Sequence, residues 1–238
     1  MPSRLVEFFG YSPLDPKGLG FAASKTCPFV KADCIKPRHG GCSLAQRNEQ
    51  PIIICPNRLY AKDFKILTDI AVQAFGEGVK LTTAQELAIA RAEESFTGFE
   101  VAVFGKYWGY ELGIPQPRNA EEEDRGAFRI DYVLARLDEA GDLADFTAVE
   151  IQTIDTTGNY NDQAAAYFAG EPFTDARGNT PGWSTAGLNW ANVSKRILPQ
   201  LIYKGYVLRR ERKCLKGLFF VCPSAVLERI RTRLGTKM

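Results

Sequence analysis

The chain has 238 residues, 45% of them hydrophobic and 24% charged, with six cysteines and one histidine. That balance belongs to a soluble globular protein, and the length suits one large domain or a main domain with a small appendage. The lone imidazole, His39 in the turn-like Pro37-Arg38-His39-Gly40-Gly41, excludes histidine-based metal clusters and leaves one residue around which a Ser-His-Asp triad could form. The expectation is that any hydrolytic chemistry here uses carboxylates.

The formal net charge of +2 conceals a segregation. Residues 1–60 carry +4, residues 61–194 carry −12 and residues 195–238 carry +10. Basic ends around an acidic middle suit a polyanion held beside metal-binding carboxylates, although two solvated faces would give the same counts. The opening Met1-Pro2-Ser3-Arg4-Leu5-Val6-Glu7 lacks an apolar run after its positive charge, and no stretch approaches the roughly 20 apolar residues of a membrane span. The expectation is a cytoplasmic protein with no membrane partner, whose cysteines are thiols or metal ligands and not disulfides.

In chain order, residues 1–56 are rich in Gly, Pro and Cys with little periodicity, and read as an irregular, loop-built module. Residues 57–238 then read as one α/β domain. Phe64, Leu67, Ile70, Ala71, Ala74 and Phe75 recur at helical spacing and predict a helix from Asn57, stopped by Gly76-Glu77-Gly78. Thr83-Ala84-Gln85-Glu86 has the form of a capping box and starts a second helix running to about Phe96. Residues 99–104 alternate as a strand, and residues 105–126 read as loop. Residues 128–137 and 146–154 predict a hairpin turned by Glu139-Ala140-Gly141-Asp142. Residues 155–188 are long and polar, which often marks function. A helix over 189–204, a strand over 218–221 and a basic helix from Ser224 close the chain.

The candidate chemistry centres on the hairpin. Asp131 lies on its first strand, and Glu150 and Gln152 lie two apart on the second, on one side of a strand. Two neighbouring carboxylates repel unless a cation separates them, and hard oxygen donors favour Mg²⁺, which can orient a water and neutralise charge on a phosphate. The alternative is that these are ordinary exposed positions of an antiparallel hairpin. Cys27, Cys34, Cys42 and Cys55 stand within 29 residues, with six, seven and twelve residues between them. Four thiolates suit a closed structural site for Zn or Fe; unrelated thiols or two disulfides are the alternatives. Cys214 and Cys222 read as bystanders. Among basic and polar residues, Lys36, Arg38, Arg47, Arg58, Asn159, Tyr160, Lys195 and Arg196 are candidate DNA contacts, against the plainer reading of surface charges and turn residues.

The order helix, strand, Asp-bearing strand, Glu-x-Gln strand, helix, strand resembles the PD-(D/E)XK nuclease core. Here Gln152 stands where that superfamily commonly has Lys; a neutral amide orients water but is no base. The segments Phe104-Gly105-Lys106-Tyr107-Trp108-Gly109-Tyr110-Glu111-Leu112, Asp131-Tyr132-Val133-Leu134-Ala135-Arg136-Leu137-Asp138 and, most specifically, residues 146–160 are similar to the catalytic half of the NotI-like restriction endonucleases. So are Cys27-Pro28-Phe29-Val30, Cys42-Ser43-Leu44 and Ile54-Cys55-Pro56-Asn57-Arg58-Leu59-Tyr60, which resemble that family's metal module. The resemblance spans roughly residues 20–205. It implies Asp131, Glu150 and Gln152 as catalytic positions with Glu111 as an additional acid, and iron at the four cysteines. It further implies Mg²⁺-dependent cleavage of double-stranded DNA by a homodimer, at a GC-rich palindrome. The competing expectations are a metal-stabilised DNA-binding protein without catalysis, or a nuclease of the same core serving repair or modification-dependent restriction.

Overall fold

A computed structural model describes residues 2–36, 38–109, 111–113 and 129–235. Two compact units are present. One comprises Met1–Phe64, Gln152–Leu198 and Cys222–Met238; the other comprises Lys65–Ile151 and Pro199–Val221.

The N-terminal region departs from the loop-built expectation. Strands β1 (Ser3–Phe8), β2 (Gly41–Gln46) and β3 (Ile52–Ile53) form an antiparallel sheet in the order β1-β2-β3, and helix α1 (Pro16–Ser24) follows β1. Leu5, Phe8, Phe9, Leu44 and Ile54 are fully buried, so residues 1–56 contribute apolar core. All six residues of β2 are buried, so this strand lacks the one-sided alternation that reveals a half-exposed strand. In the same unit, residues 155–188 contain the short pair β10 (Thr156–Thr157) and β11 (Gly187–Leu188), and helix α4 (Asn161–Phe168) lies between them.

Helix α2 (Ala61–Phe75) follows a 3-10 turn at Pro56–Tyr60, and its first residues, Lys62, Asp63 and Phe64, have left-handed dihedrals. Leu67, Ile70, Ala71 and Ala74 form its buried face, as their spacing requires.

The second unit holds a five-stranded mixed sheet in the order β12-β9-β8-β5-β4: β4 (Lys80–Thr83), β5 (Glu100–Gly105), β8 (Tyr132–Leu137), β9 (Leu143–Ile151) and β12 (Leu218–Val221). The outer pairs β4–β5 and β9–β12 are parallel, and the inner pairs are antiparallel. The capping box forms on helix α3 (Ala84–Ala92), where Thr83 and Glu86 satisfy each other's backbone N–H. This helix ends earlier than its apolar pattern suggests, and Glu94 takes a left-handed φ of 55°. Strand β4, hidden in a four-residue polar stretch, escapes the sequence pattern. A two-stranded ladder of β6 (Leu112–Gly113) and β7 (Arg129–Ile130) accompanies the sheet. The acidic run Glu121–Asp124 lies outside the described residues.

The expected turn joins β8 to β9. Asp138 accepts from Gly141 N–H through its carbonyl and from Asp142 N–H through its side chain, and Gly141 has φ +88°. A Cβ there would collide with the Arg91 guanidinium, which donates to the Ala140 carbonyl. A helical stretch over 190–208 runs through the short α5 (Trp190–Asn192), a π segment at Val193–Ile197 and α6 (Leu198–Leu208), longer than the expected 189–204. Helix α7 (Ser224–Leu234) ends the described chain; β12 and the start of α7 fall where the sequence places them.

Candidate active site

The expected first strand, 128–137, is broken at Asp131, which forms a bend between β7 and β8. The break frees the side chain for a specific task. Tyr132 pairs with Val149, so extending that register by one residue sets Asp131 against Glu150. Asp131 Oδ2 accepts the Ile151 backbone N–H at 2.7 Å, standing in for a strand carbonyl at the end of the ladder. Burial raises the Asp131 pKa; the hydrogen bond from Ile151 and the charges of Lys204 and Lys106 oppose that rise, and Glu111 adds to it.

Glu150 sits on the interior strand β9, between β8 and β12, and is 7% exposed. Desolvation, then repulsion from Asp131, pushes its pKa up to about 7, against a hydrogen bond and the charge from Lys204. Oε1 accepts from Lys204 Nζ at 2.5 Å. Oε2 is buried and has no hydrogen-bond partner among the described residues. A buried carboxylate oxygen left open beside a second carboxylate has the donor chemistry for a hard divalent cation. Among the described residues, no three His, Cys, Asp or Glu side chains are arranged to hold a metal ion.

Glu111 bears electrostatically on Asp131 and pairs with Arg129 at 3.5 Å. Its expected placement before the Asp-bearing strand therefore joins the acidic group. Gln152 differs from expectation. Strand β9 ends at Ile151 instead of running to residue 154, so Gln152 lies past the strand end and its Nε2 donates to the Thr153 carbonyl at 3.3 Å.

The four cysteines belong to the other unit and carry no disulfide. Cys27, Cys42 and Cys55 are buried and Cys34 is half-buried. The Cys42 thiol donates to the Cys55 sulfur, which lowers the Cys55 pKa and raises that of Cys42. The Lys36 charge and the backbone N–H groups of Asn57 and Arg58 further favour a Cys55 thiolate. Gly40 N–H donates to Cys34 Sγ at 3.2 Å, and Asn57 Nδ2 lies 3.8 Å from Cys27 Sγ. Among the described residues the four sulfurs are not gathered as a metal site, and the sulfur donors and their N–H supports are of the type a thiolate metal site uses.

Several of the candidate DNA contacts have partners within the protein. Tyr160 is 8% exposed, and burial together with the charges of Cys55, Cys34 and Cys42 pushes its hydroxyl pKa up to about 12, so it packs beside the cysteines. Lys36 Nζ donates to the Ile54 carbonyl at 2.6 Å, and Arg58 pairs with Glu7 at 2.7 Å while lying over the Phe29 ring. Arg196 pairs with Asp155 at 3.3 Å. Arg38, Arg47, Asn159 and Lys195 are exposed, and Arg47 lies over the Trp183 ring. Lys204 escapes sequence reading altogether, since a single lysine in an apolar helix looks like a surface charge. Its one signal is position: Leu208, four residues on, is buried on the same helix face.

The model for the family described as restriction endonuclease NotI matches residues 21–221, a span that takes in all four N-terminal cysteines and the whole carboxylate group. None of the curated proteins matches the chain. No described helix is long and apolar enough to cross a membrane. With its adjoining carboxylates at the end of the β8–β9 ladder and the family match over most of its length, the chain belongs to the NotI restriction endonuclease family and is a site-specific deoxyribonuclease of the type II restriction class.

Proposed function

We propose that the enzyme hydrolyses double-stranded DNA with Mg²⁺ held by Asp131 and Glu150, and that the nuclease core is of the PD-(D/E)XK type. The observation that carries this reading is the buried, unpartnered Glu150 Oε2 beside Asp131. When bound, the ion supplies charge neutralisation at the phosphate and a more acidic water. The chain's own residues do the rest. Asp131, fixed by the Ile151 N–H, and Glu150, fixed by Lys204, present oxygens in a defined geometry. Gln152 orients the attacking water through its amide, and Glu111 reinforces the negative field at Asp131.

The module over residues 1–56 holds a structural iron or zinc ion through Cys27, Cys34, Cys42 and Cys55. Support comes from the Cys42–Cys55 contact and from Tyr160, which feels the charges of three of the four sulfurs. The exposed Arg38, Arg47, Asn159 and Lys195 contribute to DNA binding. Cutting both strands of a GC-rich palindrome requires a two-fold homodimer with one active site per strand. Plasmid digestion in Mg²⁺ by Glu150→Ala tests the core claim. Cleavage is expected to fall by at least about 100-fold; wild-type cleavage overturns the assignment.

A further inference from the structure

The strand that carries Glu150 brings no cation to it, since the residue two positions on is the neutral Gln152. A cation arrives from elsewhere in the same unit. Lys204, on α6 and 54 residues distant in sequence, places Nζ 2.5 Å from Glu150 Oε1 and is only 4% exposed. Its charge also bears on Asp131, as do those of Lys106 and Glu111. Burying an ammonium is unfavourable unless it is paired, and apolar residues often replace buried pairs with no loss of stability. Stability alone therefore does not explain a lysine one turn before the buried Leu208.

Charge balance does explain it. Ionised Asp131 and Glu150 together carry two negative charges, and Lys204 cancels one of them. A divalent cation approaching Glu150 meets an ammonium already seated on one oxygen and finds only Oε2 open. A DNA phosphate entering the site restores the missing negative charge. We infer that Lys204 is a tethered counter-ion of the carboxylate pair, holding Glu150 in place and keeping divalent-ion affinity low until a phosphate arrives. The inference rests on the reading of Asp131 and Glu150 as the ion site. Lys204 acts through Glu150 and is a positioning residue. The consequence is positive coupling between ion and DNA, each strengthening the binding of the other.

Calorimetric titration of the full chain with Mn²⁺ tests this, with and without a plasmid fragment that the wild-type enzyme cuts. Lys204→Met is expected to bind Mn²⁺ at least tenfold more tightly without DNA, about 1.4 kcal/mol, and to lose most of the strengthening that DNA gives the wild type. Lys204→Arg keeps the charge and should behave as wild type, which a merely structural role for the lysine stem would not predict. Should Lys204→Met fail to fold, Lys204→Gln serves in its place. Unchanged or weaker Mn²⁺ binding by the neutral variant, with binding reduced in Glu150→Gln, overturns the counter-ion role alone. Equal Mn²⁺ affinity of Glu150→Gln and wild type overturns the carboxylate ion site, and the inference with it.

Discussion

Glu150 makes the metal-free enzyme sensitive to pH in a direction opposite to that of ordinary acid denaturation. Its folded pKa is raised from 4.5 to about 7, chiefly by burial and by Asp131. Between those values the folded state binds a proton that the unfolded state has released, so stability is full below pH 4.5 and is lost as pH rises through about 7. For a shift of that size the loss between pH 5 and pH 8 comes to about 2–3 kcal/mol, a large share of the total stability of an ordinary domain. Urea denaturation in EDTA, followed by tryptophan fluorescence across that range, measures it. Glu150→Gln is the control, because the amide cannot titrate. The thiolate-favouring Cys55 pulls stability the other way as pH rises, and it is present in both proteins. Parallel pH profiles for wild type and variant would refute a buried, repelled carboxylate at position 150.

Two further substitutions probe the scaffold and the cysteine module. Gly105→Ala would set a Cβ 2.2 Å from the Tyr132 ring and 2.6 Å from the Asp131 carbonyl; it should destabilise by about 1–3 kcal/mol and reduce cleavage by displacing Asp131, whereas a wild-type urea midpoint contradicts the β5–β8 register. Cys55→Ser should abolish the iron or zinc that elemental analysis is expected to find in the purified wild type and lower its melting temperature; equal metal content in both proteins argues against ligation by Cys55.

The legible parts of the fold were those in which local chemistry and tertiary packing agree. The Thr83–Glu86 box caps its helix because both halves of the reciprocal hydrogen bond lie within one turn. The turn at Asp138–Asp142 forms because Gly141 tolerates a positive φ and Asp138 caps it. The N-terminal sheet was illegible for the opposite reason: β2 is buried along its whole length, so no periodicity of two survives, and its partner β1 changes register twice. Strand β4 was missed because its pairing with β5 is a long-range event with no local counterpart.

The site divides along the same line. Asp131 and Glu150 were readable because a hairpin brings neighbours in sequence together in space, and a two-residue register argument suffices to set them opposite each other. Gln152 was misplaced by one assumption, that the strand continues past Ile151; the Asp131 carboxylate takes the Ile151 N–H where the ladder ends. Lys204 was beyond reach because nothing within fifty residues of it specifies its partner. Only the parallel seating of β12 against β9, together with the position of α6, determines which carboxylate an interior lysine finds. The electrostatics then becomes a property of the assembled unit. Helix α6 supplies the positive charge that β9 omits, so substitutions on α6 should alter ion binding as directly as substitutions on the strands that carry the acids.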